Sequence, residues 1–422
     1  MAYKQVRLGD YFKFEKGLGY KGEFLAEESD VAMIGMDSHN DGGGYKEDSE
    51  KPYSGPYKPE HVAHTGDIIF AATEQGFGLL ASPLMVPESE KFQTFIFSHH
   101  VLKAFPIQEG FLPEYLYNMF RIDRFRARAA YGDSGTTVRA LPAEVLEEQV
   151  VPLPDLLVQQ AINEIVAMID QQIANNKALS KSLETLAQAM FKSWFIDFDP
   201  VHAKSKGKEP FGMDASTASL FPSSFEKSDI GDIPKGWHMK PLGELITNFD
   251  SKRKPISARM RAKRKGQYPY YGATGIVDYV DDFLFQGRYL LVGEDGSVIN
   301  ANGTPVIQYV WGDFWVNNHA HVLQPKSDLD FDHLFLILRN TNISEYITGA
   351  VQLKLNQLNM NSIPVLFAGP QINHVFGQFV SEIYDEFRTL QDSSESLQDL
   401  LSALLPNLIS GDLLFTNEMI AS

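Results

Sequence analysis

Eight cations crowd into fourteen residues: Lys252, Arg253, Lys254, Arg259, Arg261, Lys263, Arg264 and Lys265, with Asp250 as the single acidic neighbour. Tyr268, Tyr270 and Tyr271 follow directly. Cations that neutralise phosphates supply affinity for DNA, and positioned polar contacts fix register on the duplex. The segment therefore predicts a DNA contact; the alternative is a solvated charged loop. A thinner set, Arg121, Arg124, Arg126 and Arg128 followed by Arg139, places Arg121, Arg124 and Arg128 on one helical face near Asp123. There, DNA contact and pairing with acids of the same domain both stay open. Glycine-flanked loops add Glu74, Gln75, Asn300 and Asn302, whose carboxylate and amide groups are of the kind that pair with base edges.

Catalytic patterns are missing. No Asn/Asp-Pro-Pro-aromatic element is present to hold a flipped adenine, and Asp41-Gly42-Gly43-Gly44 does not follow an apolar strand as a dinucleotide turn does. Gly207-Lys208 is followed by Glu209, so no phosphate-cradling loop for ATP is encoded. Asp250-Ser251-Lys252 matches the tail of a nuclease element but lacks its upstream Pro-Asp partner. His319-Ala320-His321 and His99-His100 raise the question of a metal, yet no carboxylate or further histidine joins them in sequence, so no metal, cofactor or catalytic residue is expected. A net charge of −17 opposes nucleic acid binding as a sum, but affinity follows where the positive charges lie. Cysteine is absent, which excludes disulfides and thiolate metal sites. The first residues carry no apolar export core and no long apolar run follows, so a cytoplasmic protein without a membrane span is expected.

What positions these residues is a duplication. Val6-Arg7-Leu8-Gly9-Asp10 matches Lys240-Pro241-Leu242-Gly243-Glu244, and Ile68 to Gly76 matches Tyr289 to Gly296. Ser98-His99-His100-Val101-Leu102 matches His319-Ala320-His321-Val322-Leu323, and Val151-Pro152-Leu153 matches Ile363-Pro364-Val365. The four matches keep their order, so each half reads as a mostly β module closed by a short helical stretch, near 112–130 and 331–346, and then a long helix. The expected domains are 1–150, a central helix 151–202, a partly flexible linker 203–236, a second module 237–362 and a C-terminal helix 363–422.

Both helices carry heptad-like seams. In the first, Ile165, Ile169, Gln172, Asn176, Leu179, Leu183, Leu186 and Met190 step by four and three. In the second, Ile372, Phe376, Phe379, Ile383, Phe387, Leu390, Ser394, Leu397, Leu401, Leu404 and Leu408 do nearly the same, with a stutter after Phe379. Pro406 is expected to kink or fray the second helix. A solitary apolar stripe must be buried, so the two are expected to pair antiparallel; the alternative is that each plugs into a separate core. At 1.5 Å per residue, 158–195 spans about 57 Å, or about 17 base pairs at ~3.4 Å each. The expected fold is α+β: two mostly β domains with short helices, joined by two long antiparallel coiled-coil helices in a pseudo-twofold arrangement.

Several stretches resemble the specificity subunits of type I restriction–modification systems: Phe191-Lys192-Ser193-Trp194-Phe195-Ile196-Asp197-Phe198-Asp199-Pro200-Val201, Gly231-Asp232-Ile233-Pro234-Lys235-Gly236-Trp237 leading into Leu242-Gly243-Glu244, and Leu404-Leu405-Pro406-Asn407-Leu408-Ile409-Ser410-Gly411-Asp412-Leu413. Tyr270-Tyr271-Gly272-Ala273 through Gly293-Glu294-Asp295-Gly296 and Asn318-His319-Ala320-His321 is similar to a recurrent pattern of their target recognition domains. The helix starts, Val158-Gln159-Gln160 and Ala368-Gly369-Pro370-Gln371, lack a glutamate often found there. The resemblance implies a non-catalytic subunit in which each module reads half of a split DNA site. It implies that the helices set the spacing and dock two methyltransferase subunits that carry S-adenosylmethionine, while restriction subunits add ATP- and Mg-dependent translocation and cleavage. A fused restriction–methylation enzyme and a helical scaffold that binds no DNA are the rival readings.

Overall fold

A computed structural model describes residues 3–46, 48–74, 78–130, 139–349 and 351–413. The chain divides into two compact units, Met1–Asn176 with Ser393–Ser422, and Lys177–Asp392. Each unit holds one module together with part of each long helix, so compactness cuts through both helices rather than between modules and helices.

In the first unit the strands Phe12–Lys16, Val101–Pro106, Ile68–Ala71 and Pro83–Met85 form an antiparallel sheet in that spatial order. In the second unit Ile246–Asn248, Ala320–Pro325, Tyr289–Gly293 and Ile307–Val310 repeat it strand for strand. Each unit adds a second four-stranded sheet with one parallel pair, Val31–Ile34 with Thr94–Phe97 in one and Tyr268–Tyr271 with Asp313–Val316 in the other. The central strands read Ile-Ile-Phe-Ala and Tyr-Leu-Leu-Val-Gly and are buried along their whole length, as a strand covered on both faces requires. The outer pairs Lys4–Arg7 with Val150–Leu153 and His238–Pro241 with Pro364–Phe367 lead into the long helices. All four sequence matches thus fall on corresponding elements. The short helices appear as Pro113–Phe120, Asp123–Ala130 and Phe331–Asn340.

The long helices are Leu156–Phe195 and Pro370–Ser410. The second runs through Pro406 to Ser410 and is not ended by it. On the second helix the expected seam is buried at Ile372, Phe376, Ser394, Leu401 and Leu408, whereas on the first it is displaced. Ile162, Val166, Ile173, Asn176, Ser180, Ala187, Phe191 and Trp194 are buried, whereas Leu179 and Leu186 are 46% and 49% exposed. On the second helix Val380 and Tyr384 are buried while Phe379 is 42% exposed. On the first helix the buried stripe therefore lies about one residue round from the leucines. It uses small residues, Ser180 and Ala187, where large ones were expected, which lets neighbouring backbones and aromatics approach closely.

Pairing of the helices is antiparallel within each unit. In the first, Ile162 and Val166 share a core with Leu401, Leu405, Leu408 and Ile409, and Asn176 Nδ2 donates to Ser393 Oγ at 3.2 Å. In the second, Phe376 meets Phe195 at 4.8 Å and Trp194 at 5.2 Å between ring centroids. His333 lies 4.7 Å from both Phe195 and Phe376. Polar clamps add direction: Arg121 bonds Asp170 through both guanidinium nitrogens at 2.6 and 2.9 Å, and Arg339 bonds Glu184 at 2.7 Å. Buried Asp332 accepts from Tyr309 at 2.5 Å and Ser381 at 3.0 Å.

The stretch expected as a linker is folded onto the second unit. Asp214 caps the short helix Ala215–Leu220 by accepting from the amides of Ser216 and Thr217, and Phe221 is buried edge-on against Trp194, 5.1 Å away. Among the described residues no helix is long and apolar enough to cross a membrane.

Truncating Phe376 to alanine removes the ring that both Trp194 and Phe195 touch, and we expect a loss of about 3–5 kcal/mol in the second unit. Leu186→Ala, on the open face, is expected to cost less than about 1 kcal/mol. Denaturant unfolding followed by amide exchange within 177–392 measures both; similar losses would place the seam on the leucines after all.

Candidate nucleic-acid interface

The basic segment leaves the sheet just after Ile246–Asn248, at the end where Tyr289–Gly293 also finishes and Ala320–Pro325 begins. Sequence gave it one acid; the fold brings four more. Arg261 Nε donates to Asp278 at 3.0 Å, and Lys265 Nζ to the other oxygen of Asp278 at 2.5 Å. Arg264 Nε donates to Asp281 at 2.8 Å, with Asp282 at 3.8 Å. Arg253 bonds Glu294 at 2.5 Å and the Ala320 carbonyl at 2.8 Å. The lysine and arginine on Asp278, with the Tyr279 amide, hold that carboxyl well down, to about 2.

The aromatics serve the same anchoring. Arg261 lies 4.8 Å over the Tyr270 ring and Arg264 5.1 Å over Trp315, whose indole N–H donates to the Lys254 carbonyl at 2.6 Å. Tyr270 and Trp315 are the floor under the segment. What remains outward are Lys252, Lys254, Arg259 and Lys263, all exposed and, among the described residues, without an acid in ion-pair reach. The eight cations are therefore two sets: Arg253, Arg261, Arg264 and Lys265 tie the segment down, and the other four face solvent.

The remaining candidates divide similarly. Arg121 is committed to Asp170, and Arg126, buried, caps the carbonyls of Phe120 and Arg121 at 3.0 and 2.7 Å. Arg124 and Arg128 are exposed and flank the Phe125 ring at 4.9 and 5.9 Å. Glu74 is buried, accepting from Arg139 at 2.7 Å and from the amides of Leu79 and Leu80 at 2.9 Å; it holds a turn. Asn300 donates to the Pro305 carbonyl at 3.0 Å and Asn302 accepts from the Thr304 hydroxyl at 2.8 Å, so each uses one amide atom within its own loop. Gln75 lies outside the described residues.

His321 is not the isolated histidine of the sequence. Its Nδ1 meets Asp250 Oδ2 at 2.6 Å and its Nε2 the Leu355 carbonyl at 2.6 Å. The Leu355 carbonyl and an ionised Asp250 both accept, an arrangement that favours a ring protonated on both nitrogens. Burial alone would lower its pKa, but the bond and charge of Asp250 raise it above the usual 6.5. Asp250, Glu294 and His321 lie close enough together to suit a cation. The Arg253 guanidinium already stands there, 2.5 Å from Glu294 and 3.5 Å from Asp250. This charge-balanced cluster roots the basic segment. Each of these residues was visible in sequence but not their meeting, because Asp250 lies far from His321 in the chain.

The family model described as the type I restriction modification DNA specificity domain matches residues 2–185 and 234–398. The chain belongs to this family. Both matched stretches fall on the duplicated halves, and the role of the family, DNA sequence specificity in type I restriction–modification, is the role of this chain. It is 36% identical to a putative specificity subunit, S.HindORF215P of Haemophilus influenzae, over about a third of each chain (30% and 32%). It is 22% identical to the HindI specificity subunit of the same organism over 85% of this chain and 89% of that one. A crystal structure of a type I system S subunit from M. genitalium shares the fold, with a TM-score of 0.52 at 14% identity and 96% of each chain covered.

The His321–Asp250 pair has a pH signature. His321's folded pKa is raised, so its stabilisation is complete below 6.5 and lost as pH climbs through the folded value. Asp250, whose pKa burial would raise but His321 and the Val322 amide lower overall, contributes above 3.8 and loses its effect in acid. We expect exchange of the Val322 amide, held by Asp250 at 2.9 Å, to accelerate beyond its intrinsic rise from neutral to alkaline pH. His321→Gln should abolish that excess; an identical profile in both proteins contradicts the assignment.

Proposed function

We propose that this specificity subunit reads a two-part DNA site, one half through each module, and is itself non-catalytic, directing modification and restriction subunits that do the chemistry. The observation that carries the DNA-reading surface of the second module is the set of four outward cations, Lys252, Lys254, Arg259 and Lys263, on a segment pinned beneath by its other four. Cations left without acids attract phosphate most effectively, because nothing on the protein competes for them. Arg124 and Arg128 are the corresponding exposed candidates of the first module.

The division of labour rests on what the sequence lacks and on the family. Adenine methylation would require S-adenosylmethionine in two modification subunits, and cleavage would require ATP and Mg in restriction subunits. The long helices, of forty and forty-one residues, support a spacing role. We read their length as what sets the interval between half-sites, and their solvent-facing leucines as the ground for partner contact.

Replacing Lys252, Lys254, Arg259 and Lys263 by glutamine is expected to weaken duplex DNA binding and lower the slope of log affinity against log salt by up to about 3.6, at about 0.9 per lost phosphate contact. The same number of changes at Arg253, Arg261, Arg264 and Lys265 should chiefly destabilise the second unit. Fluorescence anisotropy across a salt series, with melting curves alongside, separates the two. An unchanged slope in the first variant favours the scaffold reading.

A further inference from the structure

The two modules place a histidine at the same point of the same sheet and surround it differently. Counting from the ladder, His100 stands two residues before Leu102, which faces Phe70, as His321 stands two before Leu323, which faces Leu290. Glu74 and Glu294 are equivalent by the same count. In the second module His321 is sealed by Asp250, with Arg253 beside it. In the first, register from Lys16 opposite Leu102 and Asn248 opposite Leu323 puts Leu18 where Asp250 stands and Lys21 where Arg253 stands. Glu74 has turned away to Arg139. His100 therefore has no carboxylate. It bonds Thr73 through Nδ1 at 3.2 Å, is half-buried, and its Nε2 meets no partner among the described residues.

Where the second module is plugged, the first is hollow. A cleft of about 230 Å³ opens over His100, lined among others by Tyr20, Met36, Asp37, Lys51 and Thr73. Its size is below that of a pocket for a drug-sized molecule and suits one ring system. Its chemistry is nearly neutral: Lys51 and Asp37 are paired at 2.5 Å, and burial, with His99 and Lys16 nearby, lowers the pKa of His100. A phosphate would meet the Asp37 carboxylate with little net positive charge to offset it. A planar heteroaromatic with donors and acceptors on its edge finds complements in Lys51, Asp37, Thr73 and His100, and soft walls in the Tyr20 ring and the Met36 thioether.

We propose that this cleft is the base-reading site of the first module, recognising the edge of one nucleobase through Lys51, Asp37, Thr73 and His100. The proposal rests on the reading that each module recognises one half-site, and it names the residues that do so in the first. The two modules then use unlike means, a neutral hollow in one and a cationic segment in the other. Two presentations of the base fit the cleft, within the groove or unstacked from the helix, and the test distinguishes them.

The test uses the full chain with its modification partner and maps methylated adenines across the genome of the cell that expresses them. The variants are the pair Asp37→Asn with Lys51→Met, whose side chains are 65% and 46% exposed, and separately Thr73→Val. Each is expected to relax the preference at one or two adjacent positions of a single half-site by about tenfold or more, leaving the other half-site and the melting temperature unchanged. A motif unchanged at every position, or one relaxed equally in both halves, overturns the proposal. A wild-type complex that yields no two-part motif would instead remove the function on which it rests. 2-Aminopurine at the relaxed position separates the two presentations: it brightens on binding if the base is unstacked, and stays dark if its edge is read in the groove.

Discussion

An apolar stripe on a forty-residue helix has to be covered, and in this protein each stripe is covered by the other helix and by a module together. Within the second unit, Phe376 packs against Trp194 and Phe195 of the partner helix and against His333 of the module. Within the first, Ile162 and Val166 share one core with Leu405 and with Tyr115 and Leu116 of the module. The modules are therefore parts of the helices' burial and not appendages on them. Arginine clamps on Asp170 and Glu184 fix direction where apolar contact alone would allow sliding.

That constraint explains why Arg121 is bonded to Asp170, whereas Lys252 stays exposed beside the Phe249 ring. An arginine close to a helix that must be held in register is worth more bonded at both nitrogens to an acid than facing solvent. The basic segment shows the same economy on a smaller scale, with half of its cations consumed by Asp278, Asp281 and Glu294. An acidic chain can in this way display a local positive surface, because binding follows the unpaired charges rather than the sum.

Duplication supplied two copies of one sheet topology, and divergence acted at the loop ends, where side chains are least bound by packing. A single position shows it. His321 is buried between Asp250 and the Leu355 carbonyl, while His100, with Leu18 in place of the acid, lines an open cleft. The strands beneath them keep buried central runs, and the polar side chains they do bury are paired, Lys103 with Asp67 and His321 with Asp250.

The sequence by itself determined the duplicated architecture, the existence and extent of the long helices and the family. These rest on local repeats, on period and on long contiguous motifs, all of which are properties of neighbouring residues. It marked the basic segment, but not which of its cations are available, because the acids that bind them lie thirteen to forty-one residues away in the chain. The second helix's seam was legible except at Phe379, and the first helix's was missed by one residue: Leu179 and Leu186 look more apolar than Ser180 and Ala187. Which face is buried depends on how near a neighbour can come, and that is a tertiary quantity. Likewise the linker's polar composition hid Phe221, whose burial against Trp194 only folding could reveal. Pattern along the chain fixes what elements form; which charges are left unpaired, and so what the surface can bind, is decided by residues distant in sequence that the fold brings within hydrogen-bond reach.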